Sequence, residues 1–284
     1  MSLIDVQEVW YSYSAEVMAL NGVSMKIEQK ETIALIGQNG GGKTTLAKHL
    51  NGLLKPTRGQ VLVKGIDTRK VPANRLALTV GYIFQNPSHQ IFSSKVWDEV
   101  AFGPKNAGLK PDEIEERTRR AIDSVGLSGF EQTHPYDLDY GKMKLLTIAS
   151  IMSIRPEVYC LDEPTTGQDH QGRRRVAELI RNLNQNGATV IVITHDMRFV
   201  AEVAKRIVLV AGGKIVADGQ TREIFEKTNI LAGAQIRPPQ VTQLAHALAD
   251  CGVPPNLMTV RELRDSIAGI IRGEKEERQA CLRT

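Results

Sequence analysis

Residues 32–44 read TIALIGQNGGGKT, and this stretch decides the fold. TIALI is short, apolar and rich in β-formers, so it reads as a buried strand that ends at a glycine. Gly37-Gln38-Asn39-Gly40-Gly41-Gly42-Lys43-Thr44 follows, and LAKHLNGLL at 46–54 has helical spacing that stops near Pro56. A strand, the spacing G-x-x-x-x-G-K-T and a helix make a phosphate-binding loop. Its glycines let the backbone wrap phosphate oxygens with the N–H groups turned inward. Lys43 is expected to reach the β- and γ-phosphates, and Thr44 to offer its hydroxyl to Mg²⁺. The candidate nucleotide contacts are Gly37, Asn39, Gly40, Gly41, Gly42, Lys43, Thr44 and Thr45, with ATP and Mg²⁺ as the cofactors.

Working outward, Val158-Tyr159-Cys160-Leu161-Asp162-Glu163 is the complement of that loop. A buried strand lifts two acids to the carboxyl edge of a parallel sheet, where ligands bind. Asp162 is a candidate Mg²⁺ ligand through water, and Glu163 a candidate general base for attacking water. A nucleotide kinase has no need of the second acid, whereas a hydrolase does. His195 ends the apolar strand ATVIVIT and emerges at the same edge, within reach of a γ-phosphate.

The remaining pattern alternates. Residues 3–13, 23–29 and 58–65 read as strands, 111–127 and 142–154 as helices, and 172–187 as an amphipathic helix with Gly187 after its end. Strands alternating with helices imply a parallel α/β core. Composition shifts near 230–240, where ILAGAQIRPPQ is rich in Gly, Ala and Pro. Beyond it, Val241, Leu244, Ala245 and Leu248 share one helical face. Thr259-Val260-Arg261-Glu262 is a capping-box pattern for a second helix, and the charged tail 272–284 is expected to fray.

Composition excludes several classes. A net charge of +4 beside 36 basic and 32 acidic residues gives no electrostatic reason to expect nucleic acid. The run Arg173-Arg174-Arg175 reads as a solvated helix face. No apolar run spans a bilayer, and MSLIDVQEVWYSY lacks the pattern of a signal peptide. Cys160, Cys251 and Cys281 lie far apart, without metal-ligand spacing.

Taken together, GQNGGGKTT, VYCLDEPTTGQD and ITHD resemble the motifs of an ABC transporter ATPase subunit, over about residues 3–230. The resemblance implies an α/β P-loop cassette with a mixed β-sheet core and a helical subdomain. The expected domains are a nucleotide-binding domain at 1–232, containing a helical subdomain at about 86–157, and a C-terminal helical extension at 233–284. It also implies roles by position. Tyr13, in WYSYSAEV, matches the aromatic that stacks on adenine, although Tyr11 is a neighbouring choice. Gln85, in GYIFQNP, matches a glutamine that touches Mg²⁺ and senses the membrane subunit. Asp169, in TTGQD, matches an acid that couples two ATP sites across a dimer.

FQNPSHQIFSSKVWDEVAFGPKNAGL and RPPQVTQLAHALADCG are similar to segments of energy-coupling factor importers. That subfamily takes up cobalt, nickel or vitamins. It implies a second ATPase or a second copy of this chain, a transmembrane coupling protein, a substrate-binding membrane protein, and a peripheral position on the cytoplasmic face of the membrane. The C-terminal helices would help to pair the ATPases. Asp98 and Glu99 match acids that receive arginines of the coupling protein. Two other classes use such motifs: a soluble ABC ATPase of DNA repair or translation, and a pseudo-enzyme that binds ATP without turnover.

One segment departs from the pattern. Leu138-Asp139-Tyr140-Gly141-Lys142 occupies the signature position, usually LSGGQ and often LSYGQ in this subfamily, which closes over ATP on the opposite subunit. Serine has become Asp139 and glutamine Lys142. A carboxylate ~4 Å from a phosphate charge repels it by roughly 4 kcal/mol at an effective dielectric of about 20. Asp139 would also cap the helix and compete for its N–H groups. Gly41 stands where serine is common in the phosphate loop, a milder change. With Lys43, Asp162, Glu163 and His195 intact, the expectation is a heterodimer in which the defect falls on the partner's nucleotide.

Overall fold

The computed structural model describes residues 2–14 and 17–281, with side chains as far as Arg272. Strand β1 (Ile4–Ser12) pairs antiparallel with β2 (Met18–Ile27), and β3 (Thr32–Ile36) leads into helix α1 (Lys43–Leu50). Strands β4 (Arg58–Val63) and β5 (Ile66–Asp67), the short helix α2 (Ala73–Leu76) and β6 (Val80–Ile83) precede a helical block. That block is α3 (Val96–Asn106), α4 (Pro111–Val125) and α5 (Tyr140–Met152). Strand β7 (Val158–Asp162), α6 (His170–Gln185), β8 (Thr189–Ile193), α7 (Met197–Val203), β9 (Arg206–Ala211) and β10 (Lys214–Gln220) complete the sheets. Helices α8 (Thr221–Glu226), α9 (Thr228–Gly233), α10 (Gln240–Ala247) and α11 (Val260–Cys281) end the chain.

The core is not one parallel sheet. An antiparallel sheet of order β2-β1-β4-β5 faces a second sheet of order β10-β9-β3-β8-β7-β6. The second is parallel except for β10, which turns back on β9. Strands at 80–83 and 206–220 were not legible as such; VGYI has only four residues, and β10 alternates between half-buried and exposed residues.

Residues of β7 alternate between two cores, as a period of two requires. Val158 and Cys160 pack with α1 and the antiparallel sheet, whereas Tyr159 and Leu161 pack with α4, α5 and α6. Burial on both faces explains why the strand reads as a continuous apolar run. It also pushes the Cys160 thiol pKa far up, so this cysteine is a packing residue.

Helix α3 carries a correction. Glu99 was expected at the surface to receive a partner's arginine, but it is 3% exposed. Its carboxylate accepts the N–H groups of Phe92 at 3.1 Å and Ser93 at 2.9 Å, which ties down the loop before α3. Asp98 does face solvent, 3.7 Å from the Lys105 ammonium.

The C-terminal extension is anchored to the cassette. Ala245, Val253 and Leu263 form a small core with Val241 and Leu248, and Met258 reaches the β9 core. Leu244 was expected on the same face but is 48% exposed; Val241, Ala245 and Leu248 define the buried stripe, and Leu244 lies at its edge. The capping box forms: Glu262 N–H donates to Thr259 Oγ1 at 3.2 Å, and Thr259 N–H to Glu262 Oε2 at 3.0 Å. The guanidinium of Arg222 on α8 donates to Glu262 at 2.8 Å and to the Asn256 carbonyl at 2.6 Å. Of the tail expected to fray, α11 continues to Cys281 and 282–284 lie outside the described residues.

Two outcomes follow. Glu99→Ala removes the acceptor of the part-buried Phe92 and Ser93 N–H groups and should cost about 1 kcal/mol in urea unfolding; unchanged stability would contradict the inward placement. Partial burial alone would raise the Glu262 carboxyl, but Arg222 and the N–H groups of Met258 and Thr259 outweigh it and hold the group at about 2. The anchor is therefore at full strength above about pH 4.5, the ordinary Glu value, and weakens as pH falls toward 2. Thermal melts across that window should fall less steeply for Glu262→Gln than for the parent, and parallel curves would refute the anchor.

Candidate active site

Register brings the site together. Leu35 of β3 and Asp162 of β7 both pair with Ile193 of β8, so three strands end at one level. The glycine loop, Glu163 and Thr194-His195 leave from that edge, as the sheet-edge rule requires. Gly37 has φ +147°, and a Cβ there would stand 2.0 Å from the Val210 carbonyl oxygen, so only glycine fits beside β9.

The cleft above this edge has a volume of about 460 Å³. Asn39, Gly40, Gly41, Gly42, Lys43, Thr44 and Thr45 form one wall. Gln85, Asp162 and Glu163 face them, and Tyr13 closes the outer side. Lys43 Nζ donates to the carbonyls of Gly37 at 2.8 Å and Gln38 at 2.9 Å. Burial lowers its pKa, while Glu163 and Asp162 act in the opposite sense.

Thr44 Oγ1 and Tyr82 OH both donate to Asp162 Oδ2, at 3.0 and 2.8 Å. A hydroxyl, a carboxylate and the Gln85 amide are hard oxygen donors, the set that suits Mg²⁺ bound mainly through waters and phosphate. Among the described residues no group of three His, Cys, Asp or Glu is placed to hold a metal ion by itself, and Mg²⁺ of this kind needs none.

Glu163 has φ +47°, unusual for a residue with a Cβ, and it is 7% exposed. Its backbone N–H donates to the Ile193 carbonyl at 2.8 Å. Its carboxylate accepts from Thr194 Oγ1 at 3.0 Å, His195 N–H at 3.2 Å and His195 Nδ1 at 2.7 Å. The left-handed backbone is thus held in place by neighbours that fix the carboxylate too. His195 was expected to address the γ-phosphate; its Nδ1 lies 2.7 Å from Glu163 Oε1, which leaves Nε2 as the nitrogen for such a contact. The ring lines an adjoining hollow with Gly37, Gln38 and Asn39.

Tyr11 and Tyr13 are placed differently. Tyr11 packs edge-on against His49 at 4.8 Å and belongs to the core. Tyr13 is 55% exposed at the mouth of the cleft, with its hydroxyl 3.2 Å from Thr45 Oγ1.

Leu138, Asp139, Tyr140, Gly141 and Lys142 do not line this cleft. Asp139 caps α5, accepting the Lys142 N–H at 2.8 Å and the Lys142 ammonium at 2.5 Å. The Lys142 side chain and N–H hold the Asp139 carboxyl below its ordinary range. Asp169 likewise caps α6, accepting the Gly172 N–H at 2.7 Å, and stands exposed. The loop it ends touches the Asp139 segment: Gln168 Nε2 donates to the Gly141 carbonyl at 2.9 Å, and Gly167 lies beneath the Tyr140 ring.

Four side chains that contact the candidate residues escaped the reading of the sequence: Tyr82, Thr194, Gln168 and Lys144. Lys144 is completely buried, and burial pushes its ammonium down to about 8 against the raising effect of Asp162 and Glu163. A signal existed, because Lys144, Thr147, Ile148 and Ile151 fall at helical spacing on one face.

Comparison with known proteins agrees with this architecture. The family model described as ABC transporter matches residues 20–166. A protein of Caldanaerobacter subterraneus subsp. tengcongensis named as an ABC transporter ATP-binding protein is 44% identical over 246 residues. That match covers 87% of this chain but 43% of the relative, so the chain spans less than half of it. The energy-coupling factor transporter ATP-binding protein EcfA of Methanococcus maripaludis is 38% identical over 279 residues, covering 96% of this chain and all of the relative. Among solved structures, cbiO1 from Clostridium perfringens, described as part of the ABC transporter complex cbiONQ, aligns with a TM-score of 0.72 and 32% identity. It covers 86% of this chain and 98% of that one. A phosphate loop, two acids at the end of β7 and relatives matched along nearly the whole length lead to one statement: the chain belongs to the ABC transporter family, as an ATP-binding ATPase.

Proposed function

We propose that the chain powers an energy-coupling factor importer of a micronutrient, a metal ion or a vitamin, as one half of an asymmetric pair of ATPases. The observation that carries the asymmetry is the capping of α5 by Asp139, away from a cleft that keeps the loop residues 39–45, Gln85, Asp162 and Glu163. The partners in this reading are a second ABC ATPase, a transmembrane coupling protein and a substrate-binding membrane protein, with the chain peripheral on the cytoplasmic face. No helix among the described residues is long and apolar enough to cross a membrane.

In this reading ATP lies with its adenine on Tyr13 and its phosphates in the loop of residues 37–45. Lys43 leaves its two carbonyl partners and turns to the β- and γ-phosphates. Thr44 and Asp162 hold Mg²⁺, with Gln85 beside them, and the ion supplies charge stabilisation at the phosphates. Glu163 takes the proton of the attacking water, and Lys43 stabilises the charge that spreads over the γ-phosphoryl oxygens. His195 keeps the Glu163 carboxylate aimed. With Nδ1–H donating to Glu163, a neutral ring has no proton on Nε2, so its hydrogen bond to a phosphate requires the doubly protonated ring.

The 138–142 segment, absent from this chain's own cleft, covers the nucleotide of the facing subunit. There Asp139 sets a carboxylate against phosphate, offset in part by its pair with Lys142. Asp169 joins the two sites, and the exposed 244, 260 and 271 side chains of the extension favour its role in pairing the subunits. Asp98 remains the acid available to an arginine of the coupling protein. The exposed Phe92 and Phe102, edge-on at 4.6 Å, give that contact an apolar flank.

Two measurements test the reading. Glu163→Gln should bind ATP and slow its hydrolysis by about 100-fold or more; parental turnover in the assembled transporter would remove the base assignment. Asp139→Ser with Lys142→Gln should raise the ATPase rate of the purified chain by about tenfold, equivalent to ~1.4 kcal/mol. No gain would remove the asymmetric pair and leave a symmetric dimer.

A further inference from the structure

Lys144 connects three segments that the sequence keeps far apart. Its Nζ donates to the carbonyls of Phe84 and Gln85, both at 2.8 Å, and to that of Asp162 at 2.9 Å. An ammonium has three donors, and all three are used. None of its partners is a carboxylate oxygen. The Lys144 side chain is wholly enclosed and is one of the largest fully buried side chains among the described residues.

Packing does not call for a cation here. A buried charge is a weak source of stability, and an apolar side chain of similar volume commonly serves as well or better. What the ammonium supplies is direction. It holds the segment carrying Gln85, the end of β7 and the second turn of α5 about a single nitrogen. Asp162 is gripped from both sides, its carboxylate by Thr44 and Tyr82 and its carbonyl by Lys144. Gln90 adds a parallel tie, receiving the Phe84 N–H at 3.3 Å and donating to Thr147 O and Ser150 Oγ at 3.0 Å. The first turn of the same helix is the Asp139–Lys142 segment.

We infer that Lys144 is a positioning residue for ATP hydrolysis, which locks Gln85 and Asp162 to α5 and so carries a change at this chain's nucleotide to the 138–142 segment. The inference rests on the proposed roles of Gln85 and Asp162. An ammonium is needed because a neutral amide offers two donors to three converging carbonyls.

Single-turnover ATP hydrolysis by the full chain tests it. Lys144→Met should fold, and its maximal rate should drop at least about tenfold while the half-saturating ATP concentration stays within about threefold. Lys144→Gln should fall between it and the parent. A folded Lys144→Met with the parental rate overturns the inference, as does a loss confined to ATP affinity. Asp162→Asn, run alongside, separates the two levels. If it abolishes turnover while Lys144→Met does not, the positioning role fails and the site stands; if neither changes turnover, the site assignment fails. Should the Lys144 variants not fold, hydrogen exchange on the parent chain decides. Adding ATP and Mg²⁺ should change protection of 84–92 and 138–147 together, and a change in 84–92 alone overturns the coupling.

Discussion

The in-register parallel pairing of β3, β8 and β7 is the constraint on which the rest depends. Because Leu35 and Asp162 share Ile193 as their partner, the glycine loop and the acid pair leave the sheet at one level. A slip of one residue in β7 would invert its alternation and turn Val158 and Cys160 toward the helical block. It would also carry Asp162 out of reach of Thr44. The two cores that clamp β7 from opposite faces fix the register, so the chemistry at the strand end is a consequence of packing along its length.

Charge is balanced around that edge in a layered way. Asp162 and Glu163 are both buried, and neither relies on a lysine for its hydrogen bonds: Thr44 and Tyr82 donate to one, Thr194 and His195 to the other. The two lysines stand apart from them, Lys43 on the loop's own carbonyls and Lys144 on the carbonyls behind the site. Neither cation forms an ion pair with the acids, so Lys43 can move toward phosphate by exchanging one set of oxygen acceptors for another. Proximity to both acids favours its charged form against desolvation.

The loop and the strand-end acids were legible because their chemistry is local. Strand, turn and helix are adjacent in sequence, and the residues are the ones a phosphate and a hard cation require. The capping roles of Glu262 and Asp139 were legible for the same reason, being set three residues apart. What could not be read depends on contacts across the fold. Glu99 sits on a helix whose first turn favours acids anywhere, and only packing turns it inward toward Phe92 and Ser93. Lys144 lies 18 positions before Asp162 and 60 after Phe84, and no spacing rule joins them. The antiparallel β9–β10 pair escaped because its outer strand is only half covered.

Two helix N-termini in this chain carry opposite chemistry. At α1 the cap is Gly42, at φ +105° and with no side chain to offer, so the first N–H groups of the helix stay open to an anion. At α5 the cap is Asp139, whose carboxylate already accepts the Lys142 N–H and whose charge is matched by the Lys142 ammonium. A phosphate approaching α1 finds unpaired donors and Lys43. One approaching α5 must displace a carboxylate from a donor it already holds and part an ion pair. The same dipole serves both ends. The difference lies in whether the chain has supplied its own anion, and a helix that has done so is a poor host for another.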